Sequence, residues 1–272
     1  MNFTYRPLTE DQIKEILQKS LTLTEMDLKE RVKKDPVYFP HLFSEPKDIE
    51  IAAFIAAQFS YGNIVQIMAF LKELFSRIGT RPKEFIISGE FSKLKGLYYR
   101  FHKEREIELF FFTLRNILSI YGSIEELFSH VYKGDTTKAI FSLRERIGIP
   151  AGELKFFFPL ESKTNPLKRW NLFLRWMVRK DGIDFGIWNL LRPRDLLVPL
   201  DTHIFKVAKC LGWIQKNKKD LEAAKEITAK LRLISPEDPL KYDFFICHFI
   251  GIENKCPGIK RDLCKGRCIF YG

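Results

Sequence analysis

Two polar residues in the stretch from Asn165 to Lys209 are of types that could carry out chemistry together. Lys168 stands near the start of the helical pattern NPLKRWNLFLRWMVRK, and Asp201 comes directly before the helical pattern THIFKVAKCLGW. A lysine amine can act as a nucleophile, and a carboxylate can stabilise positive charge that develops beside it. Residues at two helix N-termini can face one cleft although they are far apart in sequence. The pair is therefore the first candidate for a catalytic site.

Each member of the pair also has a structural interpretation. Aspartate is a favoured N-cap residue, so Asp201 could simply satisfy the first amide groups of its helix. A capping carboxylate still has a second oxygen that can face a cleft, so both interpretations can hold. The alternative for Lys168 is a solvated surface charge.

The helix that carries Lys168 is predicted to have one basic and one apolar face. Asn165 is the expected N-cap and Pro166 the expected first helical residue. At about 3.6 residues per turn, Lys168, Arg175 and Arg179 lie within ~40° of one another. Because free amides at a helix start also attract phosphate, this face is predicted to bind an anion. The apolar residues lie on the other side: Trp170, Phe173, Leu174 and Met177.

Composition is consistent with a polyanionic partner. The 272 residues carry a formal net charge of +11, with 46% hydrophobic and 29% charged residues. An excess of positive charge of this size favours nucleic acid as the partner, although many basic proteins bind nothing specific.

No apolar run is long enough to span a membrane, and the start MNFTYRPLTEDQIKEIL does not have the pattern of a signal peptide. We expect a cytoplasmic protein.

The cysteines are distributed unevenly. Cys210 stands alone, whereas Cys247, Cys256, Cys264 and Cys268 fall within the last 26 residues. In a reducing compartment, clustered thiols are more typical of metal ligands than of disulfides. The sequence therefore predicts a metal site formed by these four tail cysteines.

Helical periodicity runs through most of the chain and strand-like alternation is almost absent, which predicts an all-α fold. The region 45–78 is expected to form two helices with a break at 60–63. Ser123 is expected to cap a further helix, while residues 80–91 are expected to be irregular. Other helical patterns cover 8–34, 103–121, 136–158 and the regions after 220 and 240.

Several of these segments resemble one enzyme superfamily. The segment VPLDTHIFKVAKCLGW is similar to the aspartate-bearing segment of the helix-hairpin-helix DNA glycosylases, the endonuclease III superfamily. PEDPLKYDFFICHFIGIENKC resembles the late helix of that superfamily, which precedes a cysteine-bound iron–sulfur cluster, and IEIAAFIAAQFSYGN resembles its early helix. The phrases around Lys168 and Asp201 look closer still to an uncharacterised bacterial branch, known only as a domain of unknown function. The separation of thirty-three residues between Lys168 and Asp201 is similar to the lysine-to-aspartate separation in archaeal 8-oxoguanine glycosylases.

The resemblance covers most of residues 45–268 and implies an architecture. It implies two helical lobes of the helix-hairpin-helix glycosylase type, with a DNA-binding cleft between them. Residues 1–50 and 200–272 would form the terminal lobe with the cysteine-rich tail. Residues 51–199 would form the central lobe, including a hairpin-like region at 159–180. The implied protein is a nucleoid-associated monomer that forms one glycosylase-like unit from 1 to 272.

The resemblance also implies a reaction. Lys168 would attack C1′ of a damaged nucleotide, in a neutral form that desolvation and cations such as Arg169 favour, and Asp201 would stabilise the developing oxocarbenium charge. The product would be a Schiff base and a nicked abasic site, with 8-oxoguanine the first substrate to test. Gln58 would fill the gap that a flipped base leaves. The implied DNA contacts are Lys163, Thr164, Asn165, Arg169, Arg175, Arg179 and His203.

Other interpretations remain open at this point. The chain could be a non-catalytic DNA-binding module of the same fold, or a monofunctional glycosylase with water activated by Asp201. The segment LESKTNPL has none of the closely spaced hairpin glycines of the superfamily. The cysteine spacing C-x8-C-x7-C-x3-C also differs, so a [4Fe–4S] cluster on Cys247, Cys256, Cys264 and Cys268 competes with zinc or with incomplete ligation.

Overall fold

The computed structural model describes residues 8–24, 28–150, 152–259 and 264–271. Over these residues the protein is helical and contains no β-strand, which confirms the predicted all-α class. No helix among them is both long and apolar enough to cross a lipid bilayer.

The chain divides into two compact units. The first unit consists of Met1–Arg31, Lys163–Asn171 and Pro193–Gly272. The second consists of Val32–Ser162 and Leu172–Arg192. These bounds differ from the lobes expected from the sequence, most clearly in the region 159–180. That region was expected to lie wholly in the central lobe, yet the segment that contains Lys168 belongs to the first unit.

The second unit is built around α3 (Pro46–Phe59), whose residues from Ile49 to Phe59 are all buried. Apart from Glu50 and Gln58, the buried part of this alanine-rich helix is apolar on every side, so it can be surrounded by neighbours. Glu50 accepts hydrogen bonds from the amides of Ile124 and Glu125 and from the indole of Trp188. The helices of this unit are α3 (Pro46–Phe59), α4 (Ile64–Ile78), α5 (Pro82–Ser88), α6 (Glu104–Tyr121), α7 (Ile124–Ser129), α8 (Thr136–Arg146) and the later part of α9 (Lys168–Val178).

Helix bounds in the second unit confirm some predictions and correct others. The break between α3 and α4 and the cap of α7 by Ser123 are as expected. The stretch expected to be irregular contains α5, and the helix expected over 136–158 ends at Arg146. Beyond it, the Arg144 guanidinium donates to the carbonyls of Pro150, Glu153 and Phe158, so this side chain organises the loop.

The first unit contains two pairs of helices that pack on each other. It contains α1 (Glu10–Thr24), α10 (Thr202–Cys210), α11 (Leu221–Ile234) and α12 (Asp243–Phe245), which continues as a π-helix over Ile246–Glu253. Helix α2 (Leu28–Lys33) lies at the boundary of the two units. α1 packs on α11, and α10 packs on the π-helix.

Candidate active site and cysteine cluster

Helix α9 begins at Lys168, two residues later than the sequence predicts. The residue before it, Leu167, has a φ of 55°, in the left-handed region that L side chains rarely adopt. The carboxamide of Asn165 accepts the amide of Leu167 at 2.9 Å and so stabilises this turn instead of capping the helix. The expected N-cap at Asn165 and first turn at Pro166 are therefore wrong, while Lys168 does stand in the first turn.

Leu167 adopts a left-handed backbone conformation that glycine adopts far more easily than leucine. A left-handed residue other than glycine costs roughly 1–2 kcal/mol, which burial of its side chain can offset. Leu167 is 2% exposed, and its carbonyl accepts the amide of Asn171 at 2.9 Å. The chain thus makes a sharp, strained turn directly before a partly buried lysine, although the segment has no glycine.

Asp201 is the N-cap of α10, as predicted. Its Oδ1 accepts the amide of Ile204 at 2.8 Å, and its Oδ2 accepts a hydrogen bond from the Cys247 thiol at 3.3 Å. The side chain is partly buried. Both carboxylate oxygens therefore have a fixed donor, so the plane of the carboxylate is set by the first turn of α10 and by the π-helix.

Lys168 and Asp201 belong to the same compact unit. The carbonyl of Lys163 accepts the amide of Leu221, the first residue of α11, at 3.2 Å. This bond ties the segment before Lys168 to a helix of the unit that contains α10. The fold thus brings two segments that are distant in sequence into one unit.

Arg175 and Arg179 do not form an exposed basic face, so that prediction is wrong. They are 3% and 5% exposed, and both pair with the fully buried carboxylate of Asp184, Arg175 at 3.3 Å. Arg179 also pairs with Asp181 at 2.9 Å. Burial raises the pKa of Asp184 to about 6, against the opposing effect of the two guanidinium groups.

The chain reversal after α9 explains this pairing. The amide of Phe185 donates to the carbonyl of Trp176 at 2.8 Å, so the loop folds back along the helix and brings Asp184 to the two arginines. Trp176 itself is fully buried, so its side chain packs in the core.

The predicted role of Gln58 as a wedge does not fit the structure either. Its side chain is 0% exposed within α3, whereas a wedge must reach the DNA.

Among the other expected DNA contacts, Lys163 and Thr164 are exposed, and Arg169 is partly buried. His203 is partly buried and lies against Gly251, where an added Cβ would come within 2.5 Å of the histidine Cβ.

The cysteines are grouped differently from the prediction. Cys210, Cys256, Cys264 and Cys268 line one pocket, while Cys247 lies on Asp201. Cys210, the last residue of α10, was missed because nothing in its local sequence distinguishes it from a core cysteine. Only the fold brings it to the tail.

Electrostatics within the pocket favour one thiolate. A hydrogen bond from Cys210, together with the amide of Gly258 and the charge of Lys206, lowers the pKa of Cys256 to about 6. The same pairing raises the pKa of Cys210, since loss of its proton would place two anions side by side.

The pocket chemistry suits a thiolate-bound metal centre. Four thiols are the usual donor set for a [4Fe–4S] cluster and for structural zinc. Asn254 also lines the pocket, and its Nδ2 is buried with no hydrogen-bond partner among the described residues, so it can donate to sulfur. In the part of the chain that the structure describes, no group of three or more His, Cys, Asp or Glu side chains has the geometry of a metal site.

Residues 35–253 match the family described as "Protein of unknown function (DUF2400)". The chain belongs to this family. The matched region contains Lys168, Asp201, Cys210 and Cys247, and it ends before the three remaining pocket cysteines. No curated protein and no solved structure matches the chain. The family description names no activity.

Proposed function

We propose that this DUF2400 protein is a DNA glycosylase with associated abasic-site lyase activity, of the helix-hairpin-helix type. The observation that carries the proposal is the Asp201 carboxylate. It is held at the start of α10 by two donors, in the same compact unit as Lys168, the first residue of α9. The likeness of these two segments to the glycosylase superfamily supports the same assignment.

The reaction follows from the two side chains. The neutral Nζ of Lys168 attacks C1′ of the damaged nucleotide while the bond from C1′ to the base breaks. The base leaves with the electron pair and is protonated. Asp201 stabilises the positive charge that develops on the sugar, as carboxylates do in glycoside cleavage. Nζ, now bonded to C1′, gives up one proton, and the C1′–O4′ bond then breaks with its electron pair going to O4′, which takes up a proton. The protonated imine formed between Lys168 and C1′ permits loss of the C2′ proton and departure of the 3′ phosphate, and hydrolysis by water then releases the lysine.

Double-stranded DNA with an oxidised base is the proposed substrate, and 8-oxoguanine is the first lesion to test. The net charge of +11 favours a polyanion. Lys163 and Thr164 are exposed just before the strained turn, and they are the proposed phosphate contacts together with Asn165 and Arg169. We propose that the protein acts as a monomer in the cytoplasm, on the nucleoid.

We further propose that Cys210, Cys256, Cys264 and Cys268 hold a metal centre, with [4Fe–4S] preferred over zinc. Such a centre would serve as a structural cross-link between α10 and the tail. Because α10 carries Asp201 at one end and Cys210 at the other, the same helix would connect the carboxylate to this cross-link.

Single-turnover cleavage of a panel of duplexes, each with one lesion, tests the proposal. The wild-type protein should release the base and nick the strand of at least one lesion, starting with 8-oxoguanine. Lys168→Gln should bind that duplex and leave it intact, and Asp201→Asn should cleave it on the order of a hundredfold more slowly. The matched control is Lys163→Gln, which should bind the duplex more weakly but cleave it at the wild-type rate when the protein is saturating. Tight binding with no cleavage of any lesion would indicate a DNA-binding module instead.

A further inference from the structure

The roles expected from the sequence, metal ligand for Cys247 and catalytic carboxylate for Asp201, do not include a hydrogen bond between the two side chains. The Cys247 sulfur lies 3.3 Å from Oδ2 of Asp201, which is within the range for a thiol donor. The other oxygen, Oδ1, accepts the amide of Ile204 at 2.8 Å. A carboxylate oxygen can only accept, so the bond requires the thiol to be protonated.

The π-helix is what brings this thiol to the start of α10. Cys247 is its second residue, and Gly251, four residues on, lies against His203. Any larger residue at position 251 would meet the histidine, so the two helices approach closely at this point. π-helical segments are rare and often mark functional sites. The contacts of Cys247 and Gly251 lie on the first turn of α10, the turn that Asp201 caps.

The rest of the cysteines form a separate group. Cys210, Cys256, Cys264 and Cys268 line their pocket without Cys247. Cys247 is therefore not needed to complete a four-thiol donor set, and its position beside Asp201 calls for another role.

We propose that Cys247 is a positioning residue for Asp201. Its thiol holds Oδ2 while the Ile204 amide holds Oδ1, so that the carboxylate has one orientation towards the developing charge. The catalytic consequence rests on the proposed glycosylase function, but the hydrogen bond itself does not. In this role Cys247 neither touches the substrate nor binds the metal.

Infrared difference spectroscopy tests the hydrogen bond without any enzyme activity. The S–H stretching band that Cys247→Ser removes from the wild-type spectrum belongs to this thiol. It should lie at the low frequency of a hydrogen-bonded thiol and shift to higher frequency in Asp201→Asn, whose side chain is a weaker, neutral acceptor. Absence of any lost band, or a band that Asp201→Asn leaves in place, would overturn the proposal.

Kinetics test the positioning role. Cys247→Ala should slow single-turnover base release by about tenfold while the Kd for the lesion duplex and the metal content stay unchanged. Cys247→Ser retains a hydroxyl donor, so it should restore the rate to within about twofold of wild type. Equal rates in the alanine variant and the wild type would refute the role, as would loss of metal in both variants. A wild-type protein that cleaves nothing would remove the glycosylase proposal, while the infrared result would still decide the hydrogen bond.

Discussion

Asp184→Asn should destabilise the second unit severely, because Asp184 is the shared partner of two buried cations. Arg175 and Arg179 are almost completely buried, and both contact this carboxylate. Removing one partner of a buried ion pair costs about 3–5 kcal/mol, because the remaining charge loses both its partner and its water. Asp181 offsets part of the loss, since it still pairs with Arg179.

Urea unfolding measures this cost. With a denaturant slope of about 3 kcal/mol per molar urea, the midpoint should fall by about 1–1.7 M. The matched control is Asp181→Asn, because it is the same substitution in the same loop and removes a carboxylate that pairs with the same arginine, Arg179. Its side chain is 33% exposed, so its loss should stay at or below about 1 kcal/mol.

The comparison of the two variants can refute the reasoning. Equal losses from Asp184→Asn and Asp181→Asn, or a loss below about 1 kcal/mol from the former, would mean that the arginines are not held as the structure shows. They would then be available as the phosphate-binding face that the sequence predicts.

The remaining predictions concern the first unit. Cys210→Ser should abolish the iron or zinc content of anaerobically purified protein, whereas Cys247→Ser should leave it unchanged; the reverse pattern would restore the ligand set expected from the sequence. Gly251→Ala should cost about 1–3 kcal/mol in urea unfolding, because its Cβ would come within 2.5 Å of the His203 Cβ, and an unchanged midpoint would argue against this close approach. Lys163→Ala should weaken binding to damaged and intact duplexes by similar factors and reduce the salt slope by about 1, while a loss confined to damaged DNA would place this lysine at the base pocket.

Local signals in the sequence predicted two helix caps correctly. Ser123 and Asp201 cap helices where the sequence places them, because a cap depends on neighbours within three residues. The start of α9 was misplaced for a local reason too. The pair Asn165–Pro166 is a typical helix start, but the left-handed Leu167 delays the helix, and leucine gives no warning of that conformation.

Long-range pairing explains the errors at the site. The helical periodicity of α9 correctly predicts that Arg175 and Arg179 lie on the same face of the helix. It cannot show that the loop after the helix brings Asp184 back to that face. Likewise, spacing groups Cys247 with the tail cysteines, whereas packing of α10 on the π-helix places it on Asp201 and brings Cys210 to the pocket. In both cases the deciding partner is set by tertiary structure.

Borohydride trapping with identification of the modified residue tests the central claim most directly. Incubation with a duplex that the protein cleaves, followed by reduction, should give a covalent protein–DNA complex whose modified peptide contains Lys168. Lys168→Gln should give no such complex, whereas Lys163→Gln should still give it when enough protein is added to saturate the duplex. A complex that persists in Lys168→Gln, or a modification that maps to Lys163, would contradict the claim that Lys168 is the nucleophile.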